Sequence, residues 1–200
     1  LAGAEGSELS IRSNSFDEPL TPDNYNMKAA STQGSAPIGA VKIDSNGAFV
    51  ERSGTRLYQL AYNPDTYDYS SSDLTRLVPD MCDVGIVKIV VQRHPDTRVH
   101  CVLENGTVAV LVFEPDEDVI CWIDVTTDGL IEDAVVLPQQ ELEDAVYYVV
   151  NRTINGETKR YVEKWALEED CVGGTFNHQA DSYLQFTQAP SATVTGLTHL

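Results

Sequence analysis

Apolar residues in this chain recur at every second position in short runs, and the runs are separated by turn residues. Val41-Lys42-Ile43, Ala48-Phe49-Val50-Glu51-Arg52 and Arg56-Leu57-Tyr58-Gln59-Leu60-Ala61-Tyr62 form the first group. Alternation of this kind puts one face of a strand into a core and the other towards solvent. Gly85–Gln92 is richer in β-branched residues and apolar on both faces for part of its length, which predicts a deeply buried strand. Val99–Leu103, Val108–Phe113, Val119–Val125, Leu130–Leu137, Ala145–Thr153 and Thr158–Trp165 continue the series.

The punctuation between the runs predicts how they connect. Asn46-Gly47, Asn105-Gly106, Asp128-Gly129 and Asn155-Gly156 each stand between apolar runs. A two-residue turn with positive φ at both positions is tolerated best by Asn or Asp followed by Gly, so all four predict hairpins. Ser53-Gly54 and His94-Pro95-Asp96 predict further reversals. Consecutive hairpins build up-and-down meanders, which make propeller blades, barrels or sandwiches. The last three turns are 23 and 27 residues apart, so two hairpins approach the ~40–45 residue period of a propeller blade. One short helix is expected over Ser72–Val78, capped by Ser71 or Ser72 and stopped by Pro79. The fold class predicted is therefore all-β: antiparallel hairpin meanders, β-propeller-like (a partial propeller or a sandwich), with one short helix.

Three segments follow from the same pattern. Residues 1–37 are rich in Ser, Gly, Asn and Pro and read as an extended arm or an edge strand, with a short alternating piece at Ser7–Ile11. Residues 38–165 form the hairpin body. Residues 166–200 read as a loop followed by strands at Tyr183–Phe186 and Ala192–Thr195 that begin another unit. The chain opens on Leu1 and stops just after an alternating stretch, so truncation at both ends is expected.

Charge changes the picture more than composition does. With 31 acidic and 13 basic residues the net charge is −18. That balance disfavours gripping nucleic acid, because phosphate contacts need Lys and Arg. It suits a soluble surface, or one past which a polyanion slides without adhering. No run approaches the ~18 apolar residues of a membrane-spanning helix, so no membrane span is expected.

Candidate chemistry is sparse. The four histidines, His94, His100, His178 and His199, stand in no metal-binding spacing, and no cofactor is expected. There is no G-x-S-x-G elbow and no phosphate-binding glycine loop, so no catalytic residue is assigned. Cys82, Cys101, Cys121 and Cys171 form no C-x-x-C pair; Cys101 and Cys121, inside apolar runs, read as small buried hydrophobes. Carboxylates cluster in expected turns, at Asp116–Asp118 and Glu141–Asp144, where solvation accounts for them. Tyr58, Tyr62, Tyr67 and Tyr69 are the candidate binding residues: they fit a carbohydrate- or partner-binding surface, or core and loop packing.

The ordered set His94-Pro95-Asp96, Val99-His100-Cys101-Val102, Glu104-Asn105-Gly106-Thr107, Trp122 and Thr127-Asp128-Gly129 resembles a pattern in bacteriophage structural proteins. Val149–Gly156 and Arg160–Glu163 continue it, and Leu20-Thr21-Pro22, Gly34-Ser35, Leu60–Tyr62, Ser72–Thr75 and Val194–Leu200 fall in the same order. The resemblance spans nearly the whole chain. It departs at Val99-His100, where the family tends to carry an aromatic residue, and in the strongly acidic turns. Those proteins are virion tail components, similar in role to the nozzle or DNA-stabilisation proteins of short-tailed phages. The resemblance implies a propeller-like body, copies arranged in a ring beside tail or portal-adaptor neighbours, genome DNA passing through without specific binding, and no enzymatic activity. A virion location follows from it. A receptor- or glycan-binding module of a tail fibre, using Tyr58–Tyr69, and a tail-associated glycosidase are the rival expectations.

Overall fold

The computed structural model describes residues 2–15, 18–65, 67–139 and 143–166. Among them the regular structure is strand, apart from two short 3₁₀ turns at Pro79–Cys82 and Pro115–Glu117. The strands are β1 (Ala2–Ala4), β2 (Ser7–Arg12), β3 (Asn26–Ser31), β4 (Val41–Ile43), β5 (Asn46–Val50), β6 (Leu57–Asn63) and β7 (Asp68–Asp73). They continue as β8 (Ile86–Gln92), β9 (Arg98–Leu103), β10 (Val108–Glu114), β11 (Val119–Val125), β12 (Leu130–Leu137), β13 (Ala145–Ile154) and β14 (Glu157–Lys164).

Every sheet is an antiparallel meander in chain order: β1-β2-β3, β4-β5-β6-β7, β8-β9-β10-β11 and β12-β13-β14. Among the described residues no sheet closes into a barrel. The meanders are layered like the sheets of a sandwich, with first strands adjacent: β4 lies against β8, and β8 against β12. Adjacent first strands are also how neighbouring propeller blades meet at their axis.

Two hydrophobic cores hold the layers together. In one, Ile43, Val50 and Leu57 of the second meander meet Ile89, Val99, Leu111 and Phe113 of the third. In the other, Val102, Val108 and Val110 of the third meander meet Ile131, Val146, Tyr148 and Val150 of the fourth. The third meander is thus covered on both faces. This is why Arg98–Leu103 and Val108–Glu114 lack clean polar alternation: a strand buried on both sides needs apolar residues at successive positions. Val99, Val102, Val108, Val110 and Leu111 are all fully buried.

Residues 2–31 depart from the expected arm. Ala2–Ala4, Ser7–Arg12 and Asn26–Ser31 form a three-stranded sheet, with Leu9 opposite both Ala2 and Ala29. Ala, Gly, Asn and Ser dominate β1 and β3, so the pairing rests on backbone hydrogen bonds more than on side-chain burial. The sheet is tied to the body at Ser35, whose N–H donates to the Ala4 carbonyl at 2.8 Å. The Ser35 hydroxyl donates to buried Glu8 at 2.9 Å. Lys28 of β3 pairs with Asp68 of β7.

The expected turns divide into those retained and those moved. Asn155-Gly156 joins β13 to β14 with φ of 54° and 80°, the doubly positive turn its sequence predicts. At Asn105-Gly106 only Gly106 has positive φ, 81°. Its N–H donates to the Leu103 carbonyl at 3.0 Å, while the Asn105 side chain accepts from the Thr107 N–H at 3.1 Å. This is a type I turn closed by a left-handed glycine. Asn46-Gly47 lies inside β5, and the turn falls on Asp44-Ser45, with Asp44 at φ 53°. Arg93 fixes that choice from the next meander by donating to the Asp44 carboxylate at 3.0 Å and to the Lys42 carbonyl.

Asp128-Gly129 is not a hairpin. Its flanking strands, β11 and β12, belong to different sheets, so the segment is a crossover between layers. Gly129 has φ 155°, and a Cβ there would stand 3.0 Å from the Asn151 carbonyl oxygen. Arg152 secures the crossover by donating to the Asp128 carbonyl at 2.5 Å and to the Thr127 hydroxyl at 2.7 Å.

The expected helix over Ser72–Val78 is replaced by the end of β7, a turn, and the 3₁₀ turn at Pro79–Cys82. The Leu74 N–H continues the strand ladder by donating to the Leu57 carbonyl at 2.9 Å. Its carbonyl accepts from the Trp122 indole at 3.0 Å, which takes the acceptor a first helical turn would use. Asp73 accepts from the Thr75 N–H at 2.9 Å, so the local side-chain bond favours a turn.

Candidate functional site

The four tyrosines do not converge. Tyr58 and Phe49 are cross-strand partners on the second meander, stacked with centroids 5.8 Å apart. Burial first, then the nearby Asp73 carboxylate, raises the Tyr58 hydroxyl above its ordinary pKa. Tyr62 and Tyr69 are likewise opposite each other, in an edge-to-face pair at 5.6 Å. Tyr67 stands apart, 74% exposed at a left-handed position with φ 53°. The sheet places Tyr58 and Tyr62 four residues apart along β6, each engaged with its own cross-strand ring.

The densest polar constellation lies between the third and fourth meanders, and the sequence pattern gave it no role. His100 of β9 is fully buried. Its Nδ1 is 2.7 Å from the Tyr148 hydroxyl, and its Nε2 is 3.1 Å from Gln92 Oε1. The Gln92 side-chain N–H donates to the His94 carbonyl at 2.7 Å, which leaves Oε1 as the acceptor facing the imidazole. The hydrogen therefore belongs on Nε2, and bare Nδ1 accepts from Tyr148. The Trp165 ring closes the cluster, 5.3 Å from the imidazole and 5.7 Å from Tyr148.

Burial dominates the titration of this group. It lowers the His100 pKa to about 4, with the positive charge of Arg98 adding to the effect. It also raises the Tyr148 hydroxyl far above its ordinary range. Neutral imidazole with both nitrogens satisfied is a packing element, not a proton carrier with solvent access. The signal was in the sequence: a polar residue inside Val99-His100-Cys101-Val102-Leu103 must find partners once that strand is buried on both faces.

Asp144 is a second correction. Its carboxylate is buried, not solvated as its acidic neighbourhood predicts. It accepts from the N–H groups of Arg93 and His94 at 2.8 and 3.1 Å, clamping the β8–β9 turn. Glu141 lies outside the described residues. Asp116, Glu117 and Asp118, by contrast, are exposed as expected.

The cysteines also separate. Cys101 and Cys82 are buried in the first core; burial pushes the Cys82 thiol up to about 12 and Cys101 well above its usual value. Cys121 is exposed on β11, contrary to the buried reading, because β11 is the outermost strand of its sheet. Cys171, His178 and His199 lie outside the described residues, as do the strands expected at Tyr183–Phe186 and Ala192–Thr195.

Among the described residues no three His, Cys, Asp or Glu side chains are grouped to hold a metal ion. No helix among them is long and apolar enough to cross a membrane. The fold and these sites define an all-β protein of layered antiparallel meanders, whose most elaborate polar chemistry lies between layers. No family model matches the chain, and no curated protein matches it either.

Proposed function

We propose that the chain is a structural part of a phage tail, of the nozzle or DNA-stabilisation type, that helps close the portal-tail channel and conducts DNA at ejection without chemistry of its own. The observation that carries this reading is how the polar groups are used. His100, Tyr148, Gln92 and Asp144 hold layers and turns together inside the protein. The net charge of −18 leaves a surface that repels a passing polyanion. The ordered resemblance to tail proteins supplies the setting. Copies of the chain in a ring beside tail or portal-adaptor neighbours, in a virion, are part of the same proposal.

Imaging of intact tails tests it. A symmetric density built from this chain around the DNA path is expected, and its absence from purified virions refutes the assignment. A glycan- or receptor-binding module is the second reading, favoured by the 74% exposure of Tyr67, two residues before Tyr69 in the chain. Binding on a glycan array that is abolished by Tyr67→Ala would establish that reading instead.

A further inference from the structure

Among the described residues strand β11 has a partner on one side only. It is the terminal strand of the third meander, seven residues long, reading Val-Ile-Cys-Trp-Ile-Asp-Val. Val119, Cys121 and Ile123 on one face, and Ile120 on the other, are exposed. Its pairing with β10 runs without a break from Val108 opposite Val125 to Glu114 opposite Val119. Exposed edges are ordinarily blunted by Lys, Pro, a bulge or shortness, because unpaired N–H and C=O groups recruit other strands. β11 has no Lys, no Pro, no bulge and seven residues, and its one charge, Asp124, stands next to its last residue.

The other edges are managed. β8 packs against both β4 and β12, and β3 packs against β7. β1 has only three residues. β14 carries Lys159, Arg160 and Lys164. The contrast marks β11 as an edge left free for pairing.

Charge selects the occupant. Asp116, Glu117 and Asp118 stand at one end of β11, and Asp124 and Asp128 at the other, all exposed. A second copy paired antiparallel through β11 would set one acidic end against the other. Residues 167–200 contain no Lys or Arg, and add Glu168, Glu169, Asp170 and Asp181. Neither brings a positive charge to the acidic flanks. We infer that β11 is a docking edge for an extended strand of a different protein, with apolar residues at alternate positions and Lys or Arg on both flanks. Main-chain bonds would supply affinity and the flanking charges would set register, the usual division in strand addition. The inference does not depend on the assembly the chain serves.

The test uses the full chain and a synthetic peptide, KKTVTITVTKK. Saturable binding is expected, with amide hydrogen exchange slowed along Val119–Val125. The Glu-flanked peptide, and one N-methylated at alternate amides, should each bind at least about tenfold more weakly. Ile120→Lys, at a position already exposed, should weaken binding by about tenfold or more with unchanged circular dichroism. Absence of saturable binding, equal binding of the Glu-flanked peptide, or slowed exchange away from β11 overturns the inference. So does a dimer of the chain alone that protects β11, which would give the edge to a second copy. Protection of β11 in the monomer without peptide would give it to this chain's own residues, and overturns the inference as well.

Discussion

His100 makes folding sensitive to mild acid, and the size of the effect follows from its surroundings. In the unfolded chain an imidazole takes up its proton near pH 6.5. In the folded protein burial and Arg98 lower that to about 4. Between these values the unfolded state binds more protons, so stability rises with pH and is lost as pH falls from 6.5 towards 4. A gap of that size corresponds to about 3 kcal/mol in full. Of this, about 2 kcal/mol is lost between pH 7 and pH 5, with a slope near 1 kcal/mol per pH unit at pH 5. The carboxylates of Asp68, Asp133 and Glu132 have lowered pKa values, so their stabilisation is lost only at lower pH, as it falls through their folded values. Urea unfolding followed by tryptophan fluorescence at pH 5, 6 and 7 measures the slope. His100→Gln cannot titrate and should flatten it by about 1 kcal/mol per pH unit near pH 5, whatever its effect on absolute stability. Equal slopes for the two proteins would refute the buried, neutral imidazole.

Three further predictions rest on single contacts. Gly106→Ala puts a Cβ 2.9 Å from the Leu130 Cα at φ 81°, and should destabilise by about 2 kcal/mol or more in urea unfolding. Asp144→Ala removes the buried carboxylate that accepts from the Arg93 and His94 N–H groups, and should cost about 1–3 kcal/mol while speeding amide exchange at both. In a Cys171→Ser background, Cys121 should react with a thiol reagent in the native state. Cys82 and Cys101 should react only on unfolding, since burial holds both as thiols.

The sequence alone determined most of the strands between Val41 and Trp165 and where several of them reverse; β1, β3 and β7, poor in large apolar residues, were not legible in it. Asn155-Gly156 succeeds because its turn requires only two residues with left-handed backbone, a property of Asn and Gly themselves. The apolar runs from Val41 to Trp165 are legible for the same reason: alternation is local. Tertiary structure decided which strands are partners and which faces are covered. Asp128-Gly129 carries the same local signal as a hairpin, yet the chain there leaves one sheet for the next, because the fourth meander must cover Val102, Val108 and Val110. Ser72–Val78 has helix-like caps, but Trp122, distant in sequence, occupies the Leu74 carbonyl. Cys101 and Cys121 sit in similar apolar runs; one strand is central and the other is an edge. His100 is one of four scattered histidines in the sequence, and it becomes the centre of a buried network only when β9 and β13 close over it. Burial and edge exposure depend on what packs against a strand, and residues far along the chain supply that.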